Sequence, residues 1–99
     1  MPLDSSTHKV PLRDKPTVLV VDDDSKNLLA IESVLNGASY RLIKAQTGAE
    51  ALMALMNGDF AAIVLDVQMP DMSGIDLAKM IKERKRTQHI PIIFLTAHY

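Results

Sequence analysis

From Thr17 onward the chain alternates between two hydrophobic rhythms. TVLVV, Thr17–Val21, is a β-branched run without polar interruption, the pattern of a strand covered on both faces. Ser25–Asn36 places Leu28, Ile31 and Leu35 on one side of a helical period. Asp24 or Ser25 is suited to cap that helix, and Gly37 to the left-handed position that ends it. Tyr40–Ala45 alternates as a strand. Thr47-Gly-Ala-Glu50 is a capping box, with Thr at the N-cap and Glu at N3; the helix it opens runs to about Asn57 and stops at Gly58. Phe60–Leu65 is again wholly apolar and ends on Asp66. The loop VQMPDMS follows, its Pro70 pushing Met69 into extended backbone. Ser73-Gly-Ile-Asp76 opens a third helix predicted to end near Arg86, and Pro91–Thr96, PIIFLT, is a fourth apolar strand. Non-alternating strands separated by helices, in the order β-α-β-α-β-α-β, predict an α/β fold with a doubly wound parallel sheet.

Composition then narrows the function classes. The chain has 99 residues, enough for one domain. Lys and Arg number 11 and Asp and Glu 12, for a net charge of −1, which offers nucleic acid no electrostatic platform. There is no Cys, so disulfides, thiolate catalysis and Cys-ligated zinc are excluded. Residues 1–15 are polar and proline-punctuated; they read as a flexible leader, with residues 16–99 as the folded domain, and they lack the apolar segment of a signal peptide. No apolar run is longer than Phe60–Leu65, which is far short of the ~20 residues a membrane helix needs. The expectation is a cytoplasmic domain without membrane contact. Lys82–Arg86, KERKR, reads as a solvated helix end whose cations complement the negative helix terminus. His8, His89 and His98 have no metal-ligand spacing. Met53, Met56, Met69, Met72 and Met80 read as core or loop packing. No phosphate-binding glycine loop or nucleophile elbow is present.

The chemistry gathers at strand ends. Asp22, Asp23 and Asp24 directly follow the first strand. Asp24 is accounted for as a helix cap, but adjacent carboxylates repel and raise each other's pKa, so Asp22 and Asp23 ask for a cation. Oxygen ligands suit Mg²⁺, which keeps several waters and needs only one or two carboxylates. Asp66 ends the third strand, and open α/β sheets bind ligands beyond the C-terminal strand ends. With the first and third strands as neighbours, ~4.8 Å apart, Asp23 and Asp66 reach one ion. Thr96 and Ala97 end the fourth strand; the Thr96 hydroxyl could donate to an oxyanion held at Asp66, with Ala97 leaving room for it.

Four segments together resemble the receiver domain of two-component response regulators: VLVVDDD (Val18–Asp24), GAEAL (Gly48–Leu52), IVLDVQMPDMSG (Ile63–Gly74) and IPIIFLTA (Ile90–Ala97). The resemblance covers residues 16–99 and implies a flavodoxin-like sheet of order 2-1-3-4-5. It implies that Asp66 is the phosphoacceptor, that Asp23 binds Mg²⁺ directly with Asp22 acting partly through water, and that the Gln68 backbone carbonyl is the third protein ligand. It implies that Thr96 is the switch hydroxyl and Ala97 the access position. The implied partners are a sensor histidine kinase or a phosphotransfer protein, with an output domain in a longer parent. The implied activity is a phosphorelay switch rather than turnover of a substrate.

Two departures stand out. Ser73 replaces the Asp usual before Gly74, a swap of one capping residue for another. The family's phosphate-pairing Lys lies on a fifth strand, and Lys26, Lys44 and Lys79 do not match it, so the chain reads as a receiver incomplete after its fourth strand. That leaves PIIFLT as an edge, an expected surface for self-association. Two other functions compete. One is a degenerate receiver serving only as a protein-interaction module. The other is a Mg²⁺-dependent phosphohydrolase, against which stands Gln68 where such enzymes carry a second Asp.

Overall fold

The computed structural model describes residues 15–35 and 39–95. Strand β1 is Thr17–Val21, helix α1 Ser25–Leu35, β2 Arg41–Ala45, α2 Gly48–Asn57, β3 Ala62–Asp66, α3 Gly74–Glu83 and β4 Ile92–Leu95. The four strands form one sheet in the order β2-β1-β3-β4, with every pair parallel. Parallel neighbours need crossovers, and the helices supply them.

Burial explains the missing alternation. On one face Leu19 and Val21 of β1 and Ile63 and Leu65 of β3 pack with Ala51 and Leu55 of α2 and Leu77, Ala78 and Ile81 of α3. On the other face Val18, Val20 and Val64 pack with Leu28 of α1, flanked by Ile31 and Leu42. Both faces of β1 and β3 are therefore dry. β4 is not: Ile93 is 54% and Phe94 42% exposed, and among the described residues its outer edge has no strand partner.

The helix starts follow their caps. The Asp24 carboxylate accepts the Lys26 N–H at 2.9 Å and the Asp24 carbonyl the Leu28 N–H, so Asp24 rather than Ser25 caps α1. Thr47 accepts the Glu50 N–H at 3.0 Å. Glu50 reaches back to the Gln46 N–H, one residue earlier than a regular capping box. Ser73 accepts the Asp76 N–H at 3.1 Å, doing the work expected of Asp at that position.

Several boundaries differ from the expected ones. α3 ends at Glu83, not near Arg86, because Arg84 turns into extended backbone. The turn beyond it is held from within: the Thr87 hydroxyl donates to the Ile81 carbonyl at 2.7 Å. The Lys82 ammonium holds the carbonyls of Gln88 and Ile90 at 3.0 and 2.7 Å. The basic run is thus a built turn with one committed cation, not only a solvated helix end. β3 starts at Ala62 rather than Phe60, and β2 at Arg41 rather than Tyr40. Met69 and Met72 pack against the core, but Met53 and Met56 are exposed because they lie on the outer side of α2. The leader up to residue 14, Gly37, and the strand end at Thr96 and Ala97 lie outside the described residues.

Candidate functional site

Strand register creates the site. In the β1–β3 ladder Val21 faces Leu65, so the next residues, Asp22 and Asp66, emerge side by side at the C-terminal edge of the sheet. The Asp22 N–H donates to the Ala45 carbonyl at 3.0 Å, which carries the β1–β2 ladder one residue further and fixes the exit of the chain. Carboxylate oxygens of Asp22, Asp23 and Asp66 lie within 4.8 Å of one another. Asp22 is 3% and Asp66 9% exposed; Asp23 faces solvent. An open cleft of about 440 Å³ lies above them, lined also by Asn27, Gln68, Met69 and Pro70.

The two buried carboxylates are held differently. Both Asp22 oxygens are engaged: Oδ1 accepts the Asp24 N–H at 2.9 Å and Oδ2 the Asn27 side-chain amide at 3.2 Å. Asp66 Oδ1 accepts the Gln68 N–H at 3.2 Å. Burial is the main cause lifting the Asp66 carboxyl above its ordinary value of 3.8. The Gln68 N–H opposes that rise, while the charges of Asp22 and Asp23 and a carboxyl–carboxyl contact with Asp22 add to it. Among the described residues the ion pairs lie elsewhere, at Lys44–Glu32 and Arg86–Asp59, and none of their cations pairs with the cluster. Three hard oxygen donors with no nitrogen or sulfur among them fit Mg²⁺. A cation there would offset a repulsion that the fold itself leaves standing.

The helix behind Asp66 is pressed against its backbone. A Cβ built on Gly74 would sit 2.0 Å from the Asp66 carbonyl oxygen and 2.9 Å from the Val67 Cα. The Gly74 N–H donates to the Val67 carbonyl at 2.8 Å. Glycine at 74 is what lets α3 start this close to the strand end.

Of the residues expected at the site, Asp22, Asp23 and Asp66 come together, and Gln68 lines the same cleft with its N–H on Asp66. Thr96 and Ala97 fall outside the described residues. Sequence reasoning missed Asn27, whose placement in the first turn of α1, five residues after Asp22, was the available signal. It also missed Gly74 and Asp71, the latter accepting the Gly48 N–H of α2 at 3.0 Å, because both parts depend on approaches between distant segments.

A family model described as response regulator receiver domain matches residues 18–99. The chain is 39% identical over 80 residues to a Vibrio cholerae protein named probable cyclic di-GMP phosphodiesterase, a match covering 81% of this chain and 18% of that protein. It is 30% identical over 81 residues to the polar-differentiation response regulator DivK of Brucella ovis, covering 82% of this chain and 66% of the relative. Among solved structures it superposes on the response regulator TrrA of Thermotoga maritima in complex with Mg²⁺-BeF, with a TM-score of 0.77, 32% identity and coverage of 84% and 70% of the two chains. It also superposes on the Vibrio cholerae chemotaxis protein CheY4, with a TM-score of 0.80, 30% identity and coverage of 86% and 71%.

Proposed function

The chain belongs to the response regulator receiver domain family, and on that premise we propose that it is a phosphorelay switch whose phosphoacceptor is Asp66. The observation that carries the reading is the buried Asp66 carboxylate, set within 4.8 Å of two further carboxylates at the open end of the sheet. A carboxylate oxygen of Asp66 attacks the phosphorus of a phosphohistidine. The new O–P bond makes an acyl phosphate, the P–N bond breaks, and the imidazole leaves with a proton from solvent. The donor is a histidine kinase or a phosphotransfer protein.

The chain's own groups prepare that step. The Gln68 N–H holds one Asp66 oxygen in a carboxylate that lines the cleft. Asp22, Asp23, Asp66 and the Gln68 carbonyl would hold Mg²⁺. Bound there, the ion would supply the positive charge that lets two anions approach and that orients the phosphoryl oxygens. Asn27 and the Asp24 N–H keep the Asp22 carboxylate turned in place. The Thr96 hydroxyl would donate to the new phosphoryl group, with Ala97 leaving it space, and so bias the surface that an output domain reads. Residues 16–99 form the receiver unit and 1–15 a leader, in a cytoplasmic protein.

An interaction-only domain has no need to hold three repelling carboxylates together, so the switch is the better account. The test is phosphorylation of the chain by acetyl phosphate with and without Mg²⁺, read by intact mass and Phos-tag gels. One phosphoryl group should be added in wild type and none in Asp66→Asn. Equal labelling of the two, or labelling indifferent to Mg²⁺, would overturn the reading.

A further inference from the structure

The first N–H groups of any helix lack intrahelical partners, and in α2 those of Gly48, Ala49 and Glu50 are all taken up by side chains. The Ala51 N–H makes the first regular helical bond, to the Thr47 carbonyl, and the Glu50 N–H goes to the Thr47 hydroxyl. The remaining two go to a residue more than twenty positions away. The Asp71 carboxylate accepts the Gly48 N–H at 3.2 and 3.0 Å and the Ala49 N–H at 3.4 Å. A carboxylate at a helix N-terminus is doubly favoured, by charge-assisted bonding and by the helix dipole. Next to it, the Met72 side chain occupies the space over Gly48: a Cβ there would lie 2.7 Å from its Cγ and Sδ. The loop after β3 is therefore docked on α2 by one polar and one apolar contact.

That loop is the one that carries Gln68. Its base is closed by the Gly74 N–H on the Val67 carbonyl and its first turn by the Gln68 N–H on Asp66. The Asp71 and Met72 contacts tie the far side of the loop to another element, Asp71 by the polar one. We propose that Asp71 is a positioning residue for the acidic cleft: it moors the loop from 67 to 73 on the α2 N-terminus and so holds the Gln68 backbone and the Asp66 carboxylate in the arrangement a divalent cation requires. The inference rests on the cation site proposed above. Removing the mooring leaves every ligand in the chain but lets the loop sample other positions, and coupling of this kind is typically worth ~2- to 30-fold in affinity.

The experiment compares wild type, Asp71→Ala, Asp71→Asn and Thr47→Ala in the full 99-residue chain. Each is titrated with Mg²⁺ and followed by amide NMR, with hydrogen exchange measured before metal is added. Asp71→Ala should raise the Mg²⁺ dissociation constant ~3- to 10-fold. It should also speed exchange at Gly48 and Ala49 and shift the metal-free Gln68 amide. Asp71→Asn, which keeps an acceptor oxygen, should recover most of the affinity. Thr47→Ala weakens α2 through its own cap and should leave the Mg²⁺ constant unchanged. Unchanged Mg²⁺ affinity in Asp71→Ala despite faster exchange at Gly48 would overturn the proposal, as would an equal loss of affinity in Thr47→Ala. If wild type fails to bind Mg²⁺, the cation site itself is refuted. The metal-free Gln68 amide then decides the mooring separately: a shift in Asp71→Ala supports it and no shift refutes it.

Discussion

Asp66→Asn should make the metal-free chain more stable while abolishing phosphorylation. The substitution is nearly isosteric, and the Asn oxygen can still accept the Gln68 N–H that Asp66 accepts at 3.2 Å. What it removes is a buried charge facing other charges. Two carboxylates within 4.8 Å repel by about 3.5 kcal/mol at an effective dielectric of about 20, and by about 0.9 kcal/mol in water. Asp22 and Asp66 are both buried, so a gain of about 1–3 kcal/mol at pH 7 is expected, or roughly 4–8 °C in Tm per kcal/mol. The pH dependence has a definite sign. The folded carboxyl titrates above its ordinary value of 3.8, so the native chain holds the proton more tightly than the unfolded one. The charge penalty is full above the folded pKa and disappears as pH falls below the unfolded value. The advantage of Asp66→Asn should therefore shrink on acidification. It should shrink also on adding Mg²⁺, since a ligand at a hundred times its dissociation constant stabilises its binder by about 2.7 kcal/mol. Urea unfolding at pH 7 and near pH 4, each with and without Mg²⁺, measures all of this. A variant less stable than wild type at pH 7 without metal, or a difference that ignores pH, would refute the argument.

Gly74→Ala should cost about 2–4 kcal/mol by urea unfolding, because the added methyl meets the Asp66 and Val67 backbone, which cannot swing aside. Gly48→Ala should cost under about 1 kcal/mol, since only the flexible Met72 side chain stands in its way. Equal costs would contradict the packing described. Asp23→Ala should weaken Mg²⁺ binding strongly by calorimetry. Asp24→Ala should leave binding nearly unchanged and cost about 1 kcal/mol of stability as a lost helix cap; a reversed order would misplace the site. The chain should self-associate through β4, whose Ile93 and Phe94 are exposed on a strand whose outer edge has no strand partner among the described residues. Sedimentation velocity over a concentration series tests this, and a constant monomeric coefficient would refute it.

Strands β1 and β3 were legible in the sequence because their environment is simple. Both faces are dry, so Val18–Val21 and Ile63–Leu65 carry no polar residue, and the first polar residue of each marks where the strand leaves the core. Caps were legible for a related reason, since Thr47 and Ser73 act within three residues of themselves. The end of α3 was not. Its last turn looks helical by composition, but the side chains of Thr87 and Lys82 draw carbonyls into a tight turn. Such side-chain contacts leave no periodic trace.

The same division separates the parts of the site by how freely they can vary. The carboxylates of Asp22 and Asp66 inherit their separation from the β1–β3 register, and a slip of one residue would turn Val64 and Leu65 to the wrong faces of the sheet. Their relative placement is thus protected by the whole core. The loop bearing Gln68 has no such protection. Its position depends on the close approach at Gly74, on the Asp71 carboxylate and on Met72 over Gly48, and each of these can change without disturbing either hydrophobic cluster. Substitutions that tune cation affinity or the lifetime of a phosphorylated Asp66 while leaving the fold intact should therefore concentrate between residues 67 and 74, and at Gly48, which meets both Asp71 and Met72.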